Sequence, residues 1–228
     1  MLFFGSSRLA FLASLVGMFA IVASAQAQPV PGSAAGTKAS AKPSGAERIS
    51  PDVAIQKANA YLNGATTLVA DFVQVGGDGR RSEGKLYVQR PGRLRFEYAQ
   101  PATLEVVADG TSVAIRDRKL ATQDMYFINQ TPLKFLLKDR IDLKRDVKIL
   151  GVSEDRAGVV ISIEDKATFG GTSHIKLIFD SRTFALKQWH VTDPQGYETL
   201  VSLFNVDLSQ APDPSLFRIN NERLLNPN

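Results

Sequence analysis

The 228 residues include no cysteine, which excludes disulfides, thiolate metal sites, a cysteine nucleophile and an anchor built on a lipidated cysteine. Against 27 Lys and Arg stand 23 Asp and Glu, a formal charge of +4, and the signs are interleaved, as in DRIDLKRDVK from Asp139 to Lys148. That pattern predicts a solvated surface of mixed sign and speaks against a nucleic-acid groove.

Residues 1–25 read as a secretory signal peptide: Arg8 precedes an apolar run from Leu9 to Ala23, and Ala23-Ser24-Ala25 supplies a small-residue cleavage pattern, with Ala25-Gln26-Ala27 as a second. The run is shorter than the ~20 residues a membrane span needs, so a cleaved, soluble protein in a bacterial periplasm is expected. Residues 26–47 are rich in Ala, Pro, Ser and Gly and have no periodic apolar face, the mark of a disordered linker. Residues 48–228 then form one domain, of a size that buries about 70% of its unfolded-chain surface.

The domain opens with a helix. Ser50 can cap it, Pro51 suits its first position, Asp52 favours the positive end of the dipole and Asn63-Gly64 supplies a stop, with Val53, Ile55, Ala58, Tyr61 and Leu62 as its apolar side. From Thr67 the period changes to two. Strands are predicted at 67–75, 83–90, 93–98, 103–108, 111–116, 118–126, 147–154, 158–165, 173–180, 184–192 and 197–207. Asp109-Gly110 is a hairpin signal, and Asp193-Pro194-Gln195-Gly196 places Asp, Pro and Gly where a type I turn wants them. Thr131-Pro132 begins the one interior helix, through Lys138, with Leu133, Phe135, Leu136 and Leu137 as its apolar content. The class is mainly β (α+β): an incomplete antiparallel barrel of about eleven strands, curled by accumulated twist, with helices against its concave face or across its open mouth.

One segment stands out, Gly84 to Pro101 (GKLYVQRPGRLRFEYAQP). By parity Leu86, Val88 and Arg90 share a face, so a guanidinium with five donors points to the apolar side and needs partners there. After the turn, Leu94, Phe96 and Tyr98 line one face against Arg93, Arg95 and Glu97.

Catalytic signatures are missing from the sequence: there is no Gly-x-Ser-x-Gly elbow, no His-Glu-x-x-His pair and no glycine-rich phosphate loop. The two histidines, His174 and His190, lie on neighbouring predicted strands, yet no acid spacing supports a shared metal, and surface or half-buried structural roles are preferred. Trp189 reads as a sheet residue. Neither a metal nor a cofactor is expected, and the protein is read as non-enzymatic.

The order of signal peptide, amphipathic helix, Ala70-Asp71-Phe72-Val73-Gln74, the Gly84-to-Pro101 pattern, Asp109-Gly110, Thr131-Pro132-Leu133 and Asp193-x-x-Gly196 resembles the periplasmic lipoprotein carriers of the LolA family over nearly the whole mature domain. The resemblance implies a half-barrel whose helices form a lid over a cavity for acyl chains. It implies acylated lipoproteins as cargo, an inner-membrane ATP-driven transporter as donor, an outer-membrane receptor as acceptor, and a monomeric carrier. Arg90 matches the arginine that in the family bonds lid backbone in the ligand-free form, and Leu94 a bulky apolar position important for transfer. Phe72, Leu86, Val88, Phe96, Tyr98, Leu133 and Leu136 are expected around the same cavity and lid. The chain departs from the family in its long linker and in the segment after Leu216-Phe217-Arg218, which lacks the usual Pro-x-Gly ending. A sensor or regulator of the same fold, binding lipid or lipidated protein without ferrying it, remains the alternative.

Overall fold

The computed structural model describes residues 49–132, 134–168 and 170–220; the predicted signal peptide, the predicted linker, Leu133 and residues 221–228 lie outside the described residues. Helix α1 (Pro51–Gly64) starts where the Ser50 side chain accepts from the Val53 amide, with proline and aspartate in the first turn. Its buried residues are Ala54, Ile55, Ala58 and Leu62. Val53, expected on the apolar side, is 42% exposed instead, because the stripe that meets the sheet runs through Ala54 and Ala58, whose small side chains allow close approach.

Eleven strands follow: β1 (Thr67–Gly76), β2 (Arg81–Gln89), β3 (Arg93–Tyr98), β4 (Leu104–Asp109), β5 (Ser112–Asp117), β6 (Thr122–Phe127), β7 (Lys148–Asp155), β8 (Gly158–Thr168), β9 (Gly171–Phe179), β10 (Leu186–Thr192) and β11 (Glu198–Asp207). They form one antiparallel sheet in the order β6-β5-β4-β3-β2-β1-β11-β10-β9-β8-β7. Two meanders are thus joined through the pairing of β1 with β11, which leaves β6 and β7 as edges. The sheet is strongly curled. Phe96 on β3 and Trp189 on β10 have ring centroids 6.4 Å apart, although four strand spacings of ~4.8 Å would separate them by about 19 Å in a flat sheet.

Two predictions fail locally. The strand expected from residue 118 begins only at Thr122, since the Asp117 side chain accepts from the amides of Lys119 and Leu120 and turns the chain there, with Ala121 at positive φ. The helix expected over 131–138 is absent. Its place is taken by 3-10 turns at Ile128–Gln130 and Lys134–Leu137, followed by the one-turn helix α2 (Leu143–Asp146). Apolar residues at 133, 135, 136 and 137 surround a helix rather than stripe it. Eight residues are also too few to stand by propensity against outside partners for the backbone.

The connection from β6 to β7 lies with α1 against the inner face of the sheet. Asn63 of α1 exchanges two bonds with Ile141, its amide donating to the Ile141 carbonyl and its oxygen accepting from the Ile141 amide, 2.8 and 2.9 Å. The Leu143 amide donates to Asn59 at 3.1 Å. The main core buries α1, Phe135, Ile141 and Leu143 against the inward residues of β1, β2 and β8 to β11.

Candidate functional site

Arg90 follows β2 directly, and its face reaches the end of α1. A helix C-terminus leaves carbonyls without intrahelical partners and carries partial negative charge. Helix α1 has no basic residue in its own last turn. The Arg90 guanidinium supplies the cation: Nη2 donates to the carbonyls of Leu62 at 2.7 Å and Asn63 at 3.1 Å, Nε to Ala65 at 3.2 Å, and Nη1 to Lys138 at 3.1 Å. One side chain therefore ties the helix end to the connection over the cavity. Burial pushes its pKa down from the ordinary value, with Asp139 acting in the opposite sense. A second tie comes from the same turn, where the Gly92 amide donates to the Leu137 carbonyl at 2.8 Å. Gly92 has φ +75°, and a Cβ there would meet Gly110 Cα at 2.6 Å, so this turn accepts only glycine.

On its other side the connection is fastened by charge. Lys134 Nζ lies 2.9 Å from Asp165 Oδ2 on β8, with the two side chains only 18% and 6% exposed. Lys138 Nζ donates to Asp146 Oδ1 at 2.7 Å. The Asp146 carboxylate, 2% exposed, also accepts from Arg145 Nε at 3.0 Å and from the Asp142 amide at 2.9 Å. Although desolvation raises its pKa, these donors together outweigh burial and hold it at about 2. Phe135, 1% exposed, is the connection's apolar anchor.

Beneath this cover lies a cavity of about 130 Å³. Leu86, Val88, Arg90, Leu94, Phe96, Tyr98 and Leu136 all line it. Phe72 does not; it is buried under the wall, its ring edge-on to Phe96 and Tyr98 at 5.0 and 5.1 Å. Leu133 lies outside the described residues.

Most of the lining was missed from sequence. Leu186, Trp189, Val191, Val201 and Leu203 from β10 and β11 line the cavity opposite β2 and β3. Their inward parity was the available signal, since Trp189 and Val191, like Val201 and Leu203, lie two residues apart. Which inward residues face a cavity and which face packed core depends on the curl of the sheet.

The lining is apolar except at a few points. Tyr98 donates its hydroxyl to Gln74 Oε1 at 2.8 Å, and burial pushes the phenol pKa upward. Thr199 is 3% exposed, and its hydroxyl has no hydrogen-bond partner among the described residues. His174 and His190 lie outside this cavity, each loosely opposite a glutamate, Glu164 at 4.0 Å and Glu198 at 3.8 Å.

Comparison with known proteins gives a consistent picture. Residues 63–220 match the family described as "Outer membrane lipoprotein carrier protein LolA". A protein of Legionella pneumophila named outer-membrane lipoprotein carrier protein is 30% identical over 171 residues, covering 70% of this chain and 81% of its own. A protein of the same name from Methylococcus capsulatus is 27% identical over 169 residues, covering 70% and 80%. One from Chromobacterium violaceum reaches 41% identity over 71 residues, 30% of this chain and 34% of its own.

Proposed function

We propose that this chain, which belongs to the LolA family of outer-membrane lipoprotein carrier proteins, is a periplasmic carrier that encloses the acyl chains of lipoproteins and passes them from an inner-membrane ATP-driven transporter to an outer-membrane receptor. In this reading residues 1–25 direct export and are removed, residues 26–47 are a linker, and residues 48–228 are a carrier domain that acts without catalysis.

The observation that carries the reading is Arg90, which fastens the end of α1 and the Lys138 carbonyl across the mouth of an apolar cavity. The cavity is too small for its cargo when covered. An engineered apolar void of ~150 Å³ holds one benzene, so about 130 Å³ accommodates a ring-sized group and a long acyl chain requires the cover to move. Burying an acyl chain gains about 0.8 kcal/mol per methylene, so part of one long chain supplies on the order of 5–10 kcal/mol. Binding that strong would stall delivery without an opposing term. Closure over the empty cavity supplies it, through the Arg90 bonds, the Lys134–Asp165 pair and the docking of Phe135. Transfer to a receptor with higher affinity then runs downhill.

Native purification from periplasm followed by mass spectrometry tests the reading. A co-purifying triacylated lipoprotein is expected. A phospholipid, or a protein partner without acyl cargo, would overturn the carrier role and leave a sensor of the same fold.

A further inference from the structure

Of the hydroxyl- and amide-bearing side chains in the lining, Tyr61 and Thr131 belong to the cover, and Gln74, Tyr98 and Thr199 to the sheet. The sheet register brings the last three together. Gln74 on β1 is paired with Val201, two residues along β11 from Thr199 on the same inner face, so Gln74 and Thr199 are diagonal neighbours. Tyr98 reaches Gln74 from β3 through its hydroxyl bond.

Their hydrogen-bonding capacity is only partly used. Gln74 Oε1 is occupied by Tyr98, while its side-chain nitrogen remains available as a donor. The Thr199 hydroxyl is buried without a partner among the described residues, an arrangement that opposes folding. Valine has the same shape and would fill this position of a strand without that penalty, as at Val201 and Val191 beside it. A ligand group that accepts a hydrogen bond from this hydroxyl would account for threonine here.

Charge narrows the class of that group. Arg90 is the only charged side chain among the described residues of the lining, and its donors are committed to backbone carbonyls. Gln74 is paired with Ser82 near the start of β2, whereas Arg90 follows the end of that strand, ~26 Å along the chain direction at 3.3 Å per residue. A carboxylate or phosphate next to Thr199 would be buried without a counter-charge; a carbonyl would not.

We propose that Gln74, Tyr98 and Thr199 form an uncharged subsite inside the cavity that takes the carbonyl oxygen of an acyl ester, through donation from the Thr199 hydroxyl and the Gln74 amide. The proposal rests on the acyl-chain reading above and adds which part of the cargo the wall recognises.

Displacement of a bound apolar dye by methyl dodecanoate, by tridecane of similar length and by ionised dodecanoate tests it, with the parent chain and with Thr199→Val. The parent should prefer the ester over the alkane by about threefold to tenfold, the range of one neutral hydrogen bond, and should bind the ionised acid more weakly than the ester. Thr199→Val should lower the ester-to-alkane ratio by weakening the ester alone, the Gln74 amide keeping part of the preference. Equal displacement by ester and alkane in the parent, or equal weakening of both in the variant, overturns the subsite while leaving the acyl cavity standing. Tighter binding of the ionised acid overturns it in favour of a carboxylate site. If no probe displaces the dye, the acyl reading falls and the subsite with it.

Discussion

Helix α1 and the connection over residues 128–140 cover the same cavity but are held by different forces. Four residues of α1 are buried along one stripe, and outside its last turn, whose carbonyls accept from Arg90, its backbone bonds are those of a regular helix. The connection has two 3-10 turns and rests on Phe135 plus separate polar ties: Gly92 to Leu137, Arg90 to Lys138, Lys134 to Asp165 and Lys138 to Asp146. A continuous apolar stripe yields only as a whole, whereas point contacts can be released in sequence. The connection is thus the element suited to move, and Arg90 is the residue that links it to the fixed one.

Phe135→Ala should disturb this division most. Truncating a fully buried phenylalanine costs about 3–5 kcal/mol, and hydrogen exchange should place the loss in residues 128–140 while α1 amides keep their protection. Equal loss of protection in α1 would erase the distinction between the two regions.

Arg90→Leu should come next. Losing charged hydrogen bonds at a partly buried site weakens closure by roughly 1.5–3 kcal/mol, and leucine adds apolar surface suited to the open form. Apolar dye should bind more tightly, and acylated cargo should be accepted but delivered poorly. Delivery and retention matching the parent would reduce Arg90 to a strand-end side chain that snorkels to water.

Acid should act through Asp146. Its folded pKa of about 2 lies below the ordinary aspartate value of 3.8, so its contribution is fully present above about pH 4 and is lost as pH falls toward 2. The shift corresponds to about 2 kcal/mol. Asp146→Asn should flatten that part of the stability profile in urea titrations between pH 5 and 2; an unchanged slope would show that the Asp146 carboxylate and its donors add nothing. The smallest effect is expected at Val53, 42% exposed on the outer side of α1. Val53→Lys should stay within about 0.5 kcal/mol of the parent, and a larger loss would mean that the outward face of α1 is covered.

Much of this was legible in the residues themselves. Alternation gave the strands, because in a strand side-chain direction follows parity and needs no knowledge of neighbours. The caps and stops of α1 and the Asp193 turn were readable for the same reason: their bonds close within a few residues. Parity also put Arg90 on the inner face and so raised the question of its partners. Those partners, Leu62, Asn63, Ala65 and Lys138, are up to 48 residues away, and no local pattern names them.

Tertiary structure decided the rest. Curling brought Trp189 against Phe96 and made β10 and β11 the far wall of the cavity, while Phe72, in the same pattern as its neighbours, went beneath it. Segment 131–138 had the composition of a helix, yet Gly92 and Arg90 claim its carbonyls and Phe135 is needed in the core, so it folds as turns. The sequence by itself determined which face each strand residue shows, since that is local stereochemistry; only the closed sheet determined whether that face meets packed core, cavity or cover, since that depends on which distant strands the twist brings opposite.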